Sequence, residues 1–127
     1  MALRVLIVDD SRDDAELTEH ALRVAGLAVD CRSAARADAL DAVLDGFAPD
    51  LVVCDLNLPG WSCAEALATV RGRVPHARVV LLTGAEPLPG ERLPEADAVV
   101  IKDRLAPLVG LARALADAPR TPAPAAG

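Results

Sequence analysis

The sequence predicts an α/β domain built on a parallel sheet, and three observations carry that expectation. Apolar, β-branched runs of strand length alternate with segments of helical period, the pattern of strands joined by crossover helices. Four of those runs end abruptly in a polar or charged residue. The chain has 127 residues, 53% hydrophobic but only 2% aromatic. That is enough for one domain with a real core, made from Val, Leu, Ile and Ala.

Leu3-Arg4-Val5-Leu6-Ile7-Val8 reads as the first strand and runs into Asp9-Asp10. A helix over 11–25 follows, with Ser11 as N-cap. Thr18, Ala21, Leu22 and Ala25 share one of its faces, while Asp14, Glu16, Glu19 and Arg23 lie mostly elsewhere. Ser11, Asp13 and Asp14 read as cap and first-turn acids that complement the helix dipole. Gly26 is a natural stop. A weaker strand over 28–31 precedes a helix over 34–44 that buries Ala37, Leu40 and Leu44 and ends at Gly46.

Leu51-Val52-Val53-Cys54 forms the third strand, closing on Asp55, and Pro59-Gly60 marks a turn. A helix over 62–70 turns Cys63, Leu67 and Val70 inward. Val79-Val80-Leu81-Leu82 then runs into Thr83. The segment 84–95 holds Pro87, Pro89, Gly90 and Pro94, so a regular amphipathic helix is hard to write there. Ala98-Val99-Val100-Ile101 runs into Lys102. The last helix spans 106–116, with Leu108, Leu111, Ala112 and Leu115 on one face and Pro107 in its tolerant first turn. Residues 1–118 make one domain, and 119–127 form a disordered tail by composition.

Net charge of −6 argues against direct nucleic-acid binding, since no basic stripe offsets phosphate repulsion. No stretch approaches the roughly 20 apolar residues that span a bilayer, and the first residues lack a signal-peptide pattern. A soluble, cytoplasmic protein without membrane contact is expected. Cys31, Cys54 and Cys63 are odd in number and lack ligand spacing, so they read as buried, reduced thiols. His20 and His76 are isolated and read as surface residues.

Ligands bind parallel sheets just outside the carboxyl ends of the strands. Asp9, Asp10, Asp55, Thr83 and Lys102 all stand at such ends. Taken singly, each has an ordinary explanation: a turn acid, a strand terminus, a solvated lysine. Joint placement is the informative point. Three crowded carboxylates repel unless a metal or Lys offsets them.

Val8-Asp9-Asp10-Ser11, Asp55-Leu56-Asn57-Leu58-Pro59-Gly60, Leu82-Thr83-Gly84 and Lys102 together resemble the response-regulator receiver domain of two-component signalling, over about residues 3–117. The resemblance implies a flavodoxin-like, doubly wound five-stranded parallel sheet of order 2-1-3-4-5, here with a short or irregular fourth helix. It implies that Asp55 takes a phosphoryl group from the phosphohistidine of a histidine kinase or phosphotransfer protein, with Mg²⁺ as cofactor. Asp10, Asp55 and the Asn57 backbone carbonyl would hold the metal directly, and Asp9 largely through water. Lys102 would pair with Asp55 and then with a phosphoryl oxygen. Thr83 and the Gly84 backbone N–H would donate to another.

The sequence departs from the family pattern in three places. Asp103 replaces the usual Pro after the lysine and can cap the last helix, and without proline a cis peptide there is disfavoured. Val99 replaces the strand-five aromatic, and Cys63 a Gly early in the third helix. The leading expectation is a stand-alone phospho-receiver acting on an unnamed downstream protein, with a homodimer left open and no enzymatic role beyond its own phosphotransfer and dephosphorylation. The alternative is a receiver-like interaction module that acts without phosphorylation. A hydrolase lacks a second constellation, a Gly-rich phosphate loop or a nucleophile elbow. Flavin binding would have only Trp61 and Phe47 to stack on.

Overall fold

The computed structural model of the chain describes residues 2–117, so the expected tail lies outside the described residues. Five strands, β1 (Leu3–Val8), β2 (Val29–Ala34), β3 (Leu51–Asp55), β4 (Arg78–Thr83) and β5 (Ala98–Ile101), form one parallel sheet in the order β2-β1-β3-β4-β5. Four helices cover it: α1 (Arg12–Val24), α2 (Ala37–Gly46), α3 (Cys63–Arg73) and α4 (Ala106–Asp117). The expected class and strand order are those observed.

Strand side chains alternate between faces, and the alternation builds two separate cores. Val5, Ile7, Leu51, Val53, Val80, Leu82 and Val100 meet Ala15 and Leu22 of α1 and Leu108 and Ala112 of α4. Leu6, Val8, Val52, Cys54, Val79 and Leu81 meet Leu40 and Leu44 of α2 and Cys63, Ala66, Leu67 and Val70 of α3. Caps set the helix starts. Ser11 accepts the Asp14 N–H, and Ser62 and Glu65 make a reciprocal capping box on α3. Gly26 (φ 88°) stops α1, and Gly60 (φ 81°) completes the Pro-Gly turn after β3.

Three local expectations need correction. The second strand extends to Ala34, which is buried, because each residue from Leu3 to Val8 finds a parallel partner there. The second helix therefore starts at Ala37, and Ala37 is exposed in its first turn rather than buried. Asp103 does not cap the last helix. It sits in a turn closed by the Arg104 N–H on the Ile101 carbonyl, too early for a helix starting at Ala106.

Between β4 and β5 there is no helix. The prolines remove donors that a helix would need. The segment instead anchors at its far end, where Leu93 and Ala96 pack on the α2–α3 core and Asp97 accepts the Val79 N–H at 2.7 Å. Val99, on the outer side of β5, is left 40% exposed. No helix among the described residues is long and apolar enough to cross a membrane.

One helix separates core from surface in a testable way. Leu22 is fully buried, whereas Leu17 is 60% exposed. By urea unfolding, Leu22→Ala should cost about 2–5 kcal/mol, and Leu17→Ala should stay within about 0.5 kcal/mol of wild type. Equal losses would contradict the packing described.

Candidate functional site

Alternation along three strands aims the key side chains at one place. Asp9 continues Val5 and Ile7, Asp55 continues Leu51 and Val53, and Lys102 continues Ala98 and Val100. All three emerge on the α1–α4 side, at the carboxyl end of the sheet. The pairing of Val8 with Cys54 puts Asp9 and Asp55 at adjacent strand exits. Lys102 is held in line by its N–H on the Thr83 carbonyl.

The Lys102 ammonium meets three carboxylates: Asp14 Oδ2 at 2.7 Å, Asp55 Oδ2 at 3.0 Å and Asp9 Oδ2 at 3.3 Å. Asp9 and Asp55 are oriented in the same way. In each, Oδ1 accepts the backbone N–H two residues on, from Ser11 and Asn57 respectively, both at 2.9 Å. These local turns leave Oδ2 free to face Lys102. Asp9 and Asp55 are buried, and Asp10 is exposed beside them.

Burial drives the Asp9 carboxyl above its ordinary 3.8; the Ser11 N–H opposes this, the Asp55 charge adds to it, and Lys102 opposes it. For Lys102, burial alone would lower the ammonium. Its hydrogen bonds to Asp14 and Asp55 and the charges of Asp9 and Asp55 outweigh that and raise it above its ordinary 10.5. The lysine therefore stays charged throughout the neutral range.

Carboxylate oxygens of Asp9, Asp10 and Asp55 lie within 4.8 Å of one another. One lysine cannot neutralise this many acids, and a hard divalent cation with oxygen ligands suits the surplus. Thr83 is buried at the next strand end, and its hydroxyl donates to the Ala85 carbonyl at 2.9 Å. Gly84 follows with open space where a Cβ would stand. Asn57 contributes its N–H to Asp55 from the loop that leads to the half-buried Trp61.

The structure thus brings Asp9, Asp10, Asp55 and Lys102 together, with Thr83 and Gly84 at the neighbouring strand end. It also adds Asp14, which the sequence reading assigned only to the helix dipole. A signal was available: Asp14 lies one and two turns before Thr18 and Leu22, both buried. That spacing places it on the inward face of α1, above the sheet end.

A family model described as the response regulator receiver domain matches residues 5–98. The chain is 37% identical over 86 residues to the response regulator protein FleR of Pseudomonas aeruginosa, covering 65% of this chain and 17% of FleR. It is 34% identical over 90 residues to the transcriptional regulatory protein TctD of Salmonella typhimurium, covering 64% and 35%. The chain therefore spans a fraction of each of these relatives. Among solved structures, it is similar to the response regulator TrrA of Thermotoga maritima in complex with Mg²⁺ and BeF, with a TM-score of 0.73 and 26% identity, covering 89% of this chain and 98% of that one.

The raised Asp9 carboxyl has a consequence for stability. The native state keeps this proton at pH values where the unfolded chain has released it. Stability from this group is therefore greatest below about pH 4 and declines as pH climbs through the native value. At pH 7, with metal removed by EDTA, Asp9→Asn should be more stable than wild type, because it keeps the shape without the buried charge. Urea unfolding checks this, and a less stable variant under those conditions would contradict it.

Proposed function

The chain belongs to the response regulator receiver domain family, and we propose that it is a phospho-accepting receiver in a two-component phosphorelay, with Asp55 as the acceptor. Receivers of this family are signalling domains, and the exchange proposed here is a cytoplasmic one. The donor is a histidine kinase or phosphotransfer protein carrying phosphohistidine. The P–N bond breaks as a P–O bond to Asp55 forms. One observation carries the reading: a buried carboxylate at a sheet's carboxyl end faces a charged lysine at 3.0 Å, with further acids clustered beside it.

The residues have separable tasks. The Asn57 N–H fixes the rotation of the Asp55 carboxylate, which favours a defined line of attack. Lys102 pairs with the Asp55 carboxylate at 3.0 Å and then follows the negative charge onto a phosphoryl oxygen. Asp14 supplies a second anchor for the ammonium, so Lys102 need not leave the site when Asp55 is phosphorylated. The Thr83 hydroxyl gives up the Ala85 carbonyl to donate to the phosphoryl group, and the Gly84 N–H joins it. Asp9, Asp10 and Asp55, with the Asn57 carbonyl, would hold Mg²⁺, which when bound neutralises charge on the transferring group.

Incubation with acetyl phosphate and Mg²⁺, read by intact mass, should add one phosphoryl group. Asp55→Asn should add none, and EDTA should abolish labelling of the wild type. Equal labelling of Asp55→Asn would overturn the assignment. Absence of labelling in the wild type would favour an interaction module that acts without phosphorylation.

A further inference from the structure

Cys54 stands one residue before Asp55, and alternation turns it to the opposite face, toward α3. Cys63 is the first residue of that helix, immediately after the Ser62 cap. The two sulfurs lie 3.2 Å apart. Carbon atoms, which are smaller, settle at about 3.5–4.0 Å, so this is close contact between two free thiols. A disulfide needs about 2.05 Å between sulfurs, an approach of roughly 1 Å from here. Cys31 lies on another strand, half-buried and packed against the opposite core.

Access to the two sulfurs differs in degree. Cys54 is fully buried, and Cys63 is buried too, at 4% exposure, but it lines an open cleft of about 300 Å³ bounded by Asn57, Thr83, Arg92 and Pro94. A small oxidant can therefore meet Cys63 first, with Cys54 behind it to resolve the product.

We propose that Cys54 and Cys63 form an oxidisable dithiol that a peroxide converts to an intramolecular disulfide. Cys63 Sγ takes one oxygen of hydrogen peroxide as the O–O bond breaks, giving a sulfenic acid and one water. Cys54 Sγ then attacks Cys63 Sγ. The S–S bond forms, the S–O bond breaks, and the hydroxyl leaves with the Cys54 proton as a second water. Two thiols lose two electrons and two hydrogens, and the peroxide is reduced to two waters. The bond closes a ring through Asp55, Asn57 and Trp61. It would tie the end of β3 to the start of α3 beside the acidic cluster. Its formation does not depend on Asp55 being phosphorylated.

The test treats the full chain with hydrogen peroxide, alkylates remaining thiols under denaturing conditions, and digests with trypsin without reductant. Cleavage after Arg36 and Arg71 leaves both cysteines in one peptide, 37–71. That peptide should be lighter by two hydrogens and carry no alkyl group, while the Cys31 peptide stays alkylated. Dithiothreitol should restore alkylation at both sites. Trp61 emission should change on oxidation and return on reduction. In Cys54→Ser, the loss of two hydrogens should vanish and oxygen should add at Cys63. The proposal is overturned if peptide 37–71 keeps two alkyl groups, if wild-type Cys63 gains oxygen without cross-linking, or if the disulfide joins two chains.

Discussion

A single ammonium organises this molecule's carboxyl edge. Lys102 touches acids delivered by the first strand, the third strand and the first helix. Without it, two buried carboxylates would face each other across adjacent strand exits with only one backbone N–H each to offset them. Breaking such a cluster by removing the cation strands buried charge, which is costlier than never having built it. Burial, with the Asp55 charge adding to it, still holds the Asp9 carboxyl above its ordinary range despite the lysine. The site is therefore held in a state of surplus negative charge, stable enough to fold yet favourable to an incoming cation.

The sheet makes this possible by keeping two chemistries apart. One phase of each strand builds the α1–α4 core and ends in Asp9, Asp55 and Lys102. The other phase builds the α2–α3 core and carries Cys54. Consecutive residues Cys54 and Asp55 thus belong to opposite sides of the protein, an acid toward the lysine and a thiol toward the third helix. A shift of register by one residue would exchange them, so the apolar pattern of β3 protects the chemistry as well as the core.

Much of this was legible in the sequence because strand ends are sharply marked. A continuous apolar run stopping at Asp55 or Lys102 locates both the strand and its exit, and parallel topology brings the exits together. Legibility fell where partners lie outside the local pattern. Ala34 looked like a helix start, and only pairing with β1 makes it a strand residue. Asp14 was read from its place in the first turn of a helix, but the direction of its side chain depends on how that helix packs on the sheet. Cys54 and Cys63 show no motif spacing, since their contact is made by a loop folding back. The missing helix between β4 and β5 was foreseeable from Pro87, Pro89 and Pro94. The path that leaves Thr83 bonded to Ala85 was not.

Surplus negative charge around Lys102 should draw in a divalent cation, which Mg²⁺ titration by calorimetry measures, with Trp61 emission as a second signal. One ion per chain should bind saturably, with a change in Trp61 emission. Asp10→Ala, which removes an exposed acid without disturbing the Lys102 contacts, should lose most of the affinity. A wild-type protein that gives neither heat nor a fluorescence change would contradict that binding.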